Sequence, residues 1–166
     1  MKVLRFFIAA AALAAAAGAL FVLPRLAPAH LLKNAVPDIA AEDARLTELV
    51  NLLTSSGLIV TLKGHGPLTM FASTDAAFSA LSGDTLERLR KDRQALKRVL
   101  LYHIVPDKIT SAEAKKMTRV KTMLGEDVSI SHDGRTLMIN DAKVIDQDIK
   151  ASNGIIHVID KVLLPP

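Results

Sequence analysis

The apolar pattern of this chain changes period once, near Met117, and the change restricts the fold to one in which helices come first and strands come last. Leu46, Leu49, Val50 and Leu53 stand at i, i+3, i+4 and i+7, which predicts a helix entered at Pro37-Asp38, capped by Asp38 and stopped by Gly57. Residues 58–63 continue as a short apolar segment, Lys63 to Pro67 form a turn, and Leu68 to Ala72 read as a strand. Ser73, Thr74 and Asp75 offer capping oxygens to a short helix at Ala76-Ala77-Phe78, and a further helix starts near Asp84. From Asp92 to Ile104 a stripe of Leu96, Val99, Leu100 and His103 predicts a helix closed by Pro106, with His103 facing the core. Ser111 to Met117 adds a helical turn or two.

Beyond that point the period is two. Val128 to Ser131 alternates, Asp133-Gly134 is a hairpin signal, and Thr136 to Asn140 returns. Lys143 to Ile149 gives another strand and Asn153-Gly154 a turn. Ile155 to Ile159 is apolar on both faces, as a strand inside a sheet must be. The class is α+β.

The N-terminus obeys a different rule. Lys2 and Arg5 precede an uncharged apolar run from Phe6 to Leu23, and Ala27-Pro28-Ala29 supplies the small residues of a cleavage site, with Ala17-Gly18-Ala19 as a second candidate. Residues 1–29 therefore read as an export signal cut after Ala29, followed by a short segment at 30–36 and one domain at 37–166. The alternative is an uncleaved anchor, since the run approaches the ~18 to 20 apolar residues that span a bilayer. With no cysteine, the chain has neither a lipoprotein site nor a disulfide. Removing 29 of 166 residues leaves 137, enough for one domain with its own core. Lys2, Arg5 and Arg25 leave with the signal, so 18 basic residues face 17 acidic ones, and the sequence pI near 9.5 gives no case for nucleic-acid binding.

Three stretches in order resemble the conserved blocks of the fasciclin family: TMFASTDAAF (Thr69 to Phe78), LLYHIVP (Leu100 to Pro106) and ASNGIIHVIDKVLLPP (Ala151 to Pro166). The residues that carry the likeness are Thr69, Phe71, Thr74, Asp75 and Phe78, the pair Tyr102-His103, and Asn153, Gly154, His157 and Asp160. Ser73 departs from the family's usual proline and Ala76 from its usual glutamate or glutamine, which removes a rigid entry and a capping-box partner. The resemblance implies helices packed on a wedge of two small β-sheets, an extracellular or cell-surface setting, adhesion to protein or matrix, and no shared catalytic activity.

No zincin, nucleophile-elbow, phosphate-loop or cysteine motif occurs, so the chain reads as a non-enzyme without cofactor or metal. His103 and His157 lie in apolar settings; they read as core imidazoles, with a paired acid/base or ligand site near them as the alternative. Asp148-Ile149 stands where the resemblance places an Asp-Ile pair implicated in receptor recognition, although strand alternation sends the two side chains to opposite faces. Asp148, Ile149, Tyr102 and His103 are the candidate partner contacts. Lys115, Lys116, Arg119 and Lys121, like the mixed run from Arg88 to Arg98, read as solvated helix faces, or as contacts for acidic glycans or anionic headgroups. Cleavage after Ala29 also makes His30 a terminal copper chelator in principle.

The function expected is a monomeric or weakly associating extracytoplasmic binding module, secreted or periplasmic, for an extracellular, matrix or envelope protein or a surface polymer, touching membrane only if the N-terminal segment stays uncleaved. The alternative is a periplasmic enzyme or small-ligand carrier with a cleft near His103 or His157.

Overall fold

The computed structural model describes residues 34–166, so the expected signal and cleavage site, and His30, lie outside the described residues. The chain runs α1 (Val36–Glu42), a 3-10 turn (Ala44–Leu46), α2 (Thr47–Ser56), α3 (Leu58–Gly64), β1 (Leu68–Ser73), α4 (Asp75–Ser79), α5 (Gly83–Lys91), α6 (Arg93–Tyr102), β2 (Ile104–Val105) and α7 (Ser111–Ala114). Five strands complete it: β3 (Arg119–Lys121), β4 (Asp127–His132), β5 (Leu137–Ile139), β6 (Ala142–Ala151) and β7 (Gly154–Ile159).

The seven strands follow the order β2-β1-β7-β6-β5-β4-β3. The expected wedge of two small sheets thus takes the form of one continuous sheet, because the ten-residue β6 serves both halves. It pairs with β7 along most of its length and with β5 through Ala142 and Lys143. Register shifts between Val144 and Asp146 and between Asp146 and Ile149 bend it where the halves meet. At the far ends, the Met123 N–H donates to the Ile104 carbonyl at 2.7 Å, so the turn after β3 meets β2 and the sheet nearly closes into a barrel.

β1 and β7 run parallel at the centre, from Leu68 beside Gly154 to Ser73 beside Ile159, and both are buried along their whole length. One face carries Met70, Ala72, Ile156 and Val158 into a core with Leu49, Leu53, Phe78 and Leu100 of the helices. The other carries Phe71 and Ile159 into the barrel interior with Ile130, Leu137 and Ile139. A strand pair covered on both sides must be apolar on both sides, which is why Ile155 to Ile159 do not alternate.

Several local expectations change. Asp38 is not the cap of α1 but its third residue, where its carboxylate accepts from the Ala35 N–H at 3.3 Å. Residues 58–63 are helical, as Gly57 adopts φ 77° and turns the chain directly into α3. Asp75 does not cap its own helix. Thr74 does that by accepting from the Ala77 N–H, while Asp75 accepts from the Glu48 N–H and caps the start of α2. α6 ends at Tyr102 rather than Ile104, because the His103 carbonyl is taken by the Phe71 N–H at 2.8 Å and the next two residues join the sheet. Arg119 and Lys121 stand on a strand, not a helix face.

The Asn153-Gly154 corner joins the layers. The Asn153 side-chain amide donates to the carbonyls of Leu62 and His65, each at 2.7 Å, and its Oδ1 accepts from the Val36 N–H at 2.8 Å. A Cβ on Gly154 would lie 2.0 Å from the Leu68 carbonyl oxygen, in backbone that cannot yield. Gly154→Ala is therefore expected to lower stability by ~3 kcal/mol or more in urea unfolding, or to prevent folding. Gly83→Ala, which meets nothing within 4 Å, is expected to stay within about 0.5 kcal/mol of the parent.

Candidate functional site

The two imidazoles are 2% and 1% exposed and are held in opposite tautomers. His103 Nδ1 lies 2.7 Å from the Val99 carbonyl, so it carries the proton, and Nε2 accepts from the Leu163 N–H at 3.0 Å and the Ser73 hydroxyl at 2.9 Å. His157 reverses this. Its Nδ1 accepts from the Asp148 N–H at 3.2 Å and its Nε2 donates to the Ile109 carbonyl at 2.8 Å, with the ring stacked on Phe71 at a centroid distance of 6.0 Å. Each ring thus has both nitrogens engaged by the fold, which leaves none for a substrate or a metal. Burial pushes the His103 imidazolium down to about 4, against a weaker upward pull from the Val99 carbonyl.

Ser73 gains a role from its departure from the family pattern. Its buried hydroxyl reaches both His103 and the Lys161 carbonyl, and so fastens the C-terminal segment to β1. Ala76 is exposed. Thr69 Oγ1 donates to the Asp107 carbonyl at 2.6 Å and accepts from the Ile109 N–H at 2.8 Å, which holds the loop after β2. The Asp160 carboxylate accepts from the Lys143 N–H at 2.7 Å and extends the β6–β7 pairing.

The four candidate contact residues separate. Tyr102 and His103 are buried, and Tyr102 donates to the Asp127 carbonyl and accepts from the Asn140 side-chain amide. Asp148 is half-buried, at φ 60°, and its carboxylate takes both the N–H and the hydroxyl of Ser111 at the start of α7. Burial pushes that carboxyl up, but the Ser111 hydrogen bonds outweigh it and leave it below the usual range. Ile149 packs the other way, against the helical core.

Ile149 also lines a shallow groove of about 360 Å³, with Ile39, Leu46 and Ile156 as its apolar lining and Glu42 and Asp43 beside them. No motif announces this concavity, since its lining comes from α1, the 3-10 turn, β6 and β7. No helix among the described residues is long and apolar enough to cross a membrane.

With this geometry the relationships of the chain become specific. The family model of the fasciclin domain matches residues 44–165. This chain belongs to the fasciclin family. It is 38% identical over 133 residues to protein sll1483 of Synechocystis, covering 79% of this chain and 73% of that one. It is 32% identical over 149 residues to the transforming growth factor-beta-induced protein ig-h3 of Sus scrofa, covering 90% of this chain but 22% of the relative. Among solved structures, the fasciclin domain pair of the insect cell adhesion molecule Fasciclin I matches with a TM-score of 0.59 at 18% identity, over 72% of this chain and 45% of that one. That likeness is one of fold.

The buried neutral imidazole sets a pH dependence. The unfolded chain takes up a proton near pH 6.5 and the folded chain only near 4, so His103 contributes fully above 6.5 and its contribution is lost as pH falls towards 4. That window is worth about 3 kcal/mol. His103→Gln is expected to be less stable at pH 7 and to show a shallower fall between pH 6.5 and 4 in chemical unfolding; parallel slopes would contradict the assignment.

Proposed function

We propose that this chain is an exported, non-catalytic binding module that contacts an extracellular or envelope protein, or a surface polymer, through an exposed face. The observation that carries this reading is that the side chains best suited to chemistry, His103, His157, Asp148, Ser73 and Tyr102, all hydrogen-bond inside the fold. A cleft for an enzyme or a small-ligand carrier at either imidazole has no free ring nitrogen to use. The near balance of charge after export argues against nucleic acid as partner. Export itself, to periplasm or medium, rests on Lys2 through Ala29.

Within this reading Ile149 contributes to the contact surface at the groove, without Asp148, whose carboxylate faces Ser111. The expected result of passing envelope and matrix fractions over the immobilised exported protein is selective retention of one component. Glu42→Lys, on an exposed residue at the groove, is expected to reduce that retention severalfold without moving the melting temperature. Retention of nothing above background would contradict the proposal.

A further inference from the structure

β3 is one end of the strand order, and its register fixes which of its backbone groups are free. Arg119, Val120 and Lys121 face Ser129, Val128 and Asp127 of β4. The Thr118 carbonyl accepts from the Ile130 N–H at 2.9 Å and the Thr122 N–H donates to the Glu126 carbonyl at 3.0 Å. Residues 118, 120 and 122 therefore turn their backbone groups towards β4, and alternation turns those of Arg119 and Lys121 away from it. β4 is the one strand paired with β3 among the described residues, and neither residue's N–H or C=O has a hydrogen-bond partner outside that ladder.

The opposite edge does not cover them. β2 meets this side only where the Ile104 carbonyl takes the Met123 N–H, and β2 ends at Val105, before Pro106, which has no N–H to continue a ladder. What remains among the described residues is a short open edge that begins beside the hydrogen bond between Met123 and Ile104.

The side chains select what can pair there. Arg119 and Lys121 are exposed on one face, and Val120 points inward against the barrel core. Neither cation has a carboxylate within salt-bridge distance among the described residues, and Lys115, Lys116 and Lys108 lie nearby in sequence with none either. A second copy of this edge would set like charges opposite one another, which opposes self-pairing. An acidic strand meets the reverse situation.

We infer that the β3 edge accepts an extended acidic segment of a partner protein by strand addition, with acidic residues opposite Arg119 and Lys121 and an apolar residue beside Val120. This specifies a partner chemistry for the binding module proposed above, at a surface separate from the groove. Backbone pairing over two residues with two ion pairs makes the contact weak and salt-sensitive.

The test uses the exported protein and a soluble eight-residue peptide of alternating glutamate and valine. The peptide is expected to bind and to slow hydrogen exchange of the Arg119 and Lys121 amides, while the lysine-valine counterpart binds at least tenfold more weakly. The same glutamate-valine peptide N-methylated on the edge-facing residues is also expected to lose at least tenfold. Arg119→Glu/Lys121→Glu, both on exposed side chains, should reverse the charge preference while keeping the fold. Equal binding of the N-methylated peptide, or equal competition by phosphatidylserine vesicles, would overturn strand addition in favour of a plain polyanion surface. No binding of the glutamate-valine peptide, with a component still retained from envelope fractions, would overturn this inference and leave the binding module standing.

Discussion

Everything else in this domain depends on how closely β7 can begin beside β1. Gly154 sits against the Leu68 carbonyl with no room for a side chain, and that contact starts the parallel pair in register. Asn153, one residue earlier, holds the C-terminal end of α3 and the start of α1 over the same point through three hydrogen bonds. A parallel pair is joined by residues far apart in sequence, here the 80 or so between β1 and β7, so nothing local specifies it. The corner supplies what the intervening chain cannot, and the two cores, one under the helices and one inside the barrel, form on opposite faces of that pair.

This arrangement explains what the family-matching residues do. Thr69, Phe71, His103, His157 and Asp160 carry the family likeness in the sequence, and in the structure they are internal fastenings of the sheet. The two rings hold opposite protons because each meets a different backbone neighbour: a carbonyl of α6 at Nδ1 of His103, and an amide of β6 at Nδ1 of His157. Through them the loop after β2, the bend in β6 and the C-terminal segment are tied to the central pair. With these groups engaged, the proposed binding role falls to the exposed surface.

The elements legible in the sequence were those with a strong period or a committed turn residue: the stripe of α2 ended by Gly57, the Asp133-Gly134 hairpin, and the doubly apolar β7. What stayed hidden was decided at long range. Asp75 caps a helix 27 residues upstream, and α6 stops short because the sheet takes the His103 carbonyl. β3 is three residues long and charged at both ends, so it offered no strand signal of its own. The groove beside Ile149 likewise has no motif, being the space left where α1 crosses the bent β6. Asp148 was legible as a candidate but not as a structural one, since its partner Ser111 lies 37 residues away.

The two imidazoles belong to the fold, with every ring nitrogen held by a partner inside it. The most direct measurement is nitrogen-15 NMR of the two rings near pH 7, with and without a retained partner. A fixed Nδ1–H tautomer is expected for His103 and a fixed Nε2–H tautomer for His157, each with a slowly exchanging ring proton and neither changed by the partner. A tautomer reversed at either ring, averaged signals in fast exchange with water, or a ring shift on partner binding would contradict it.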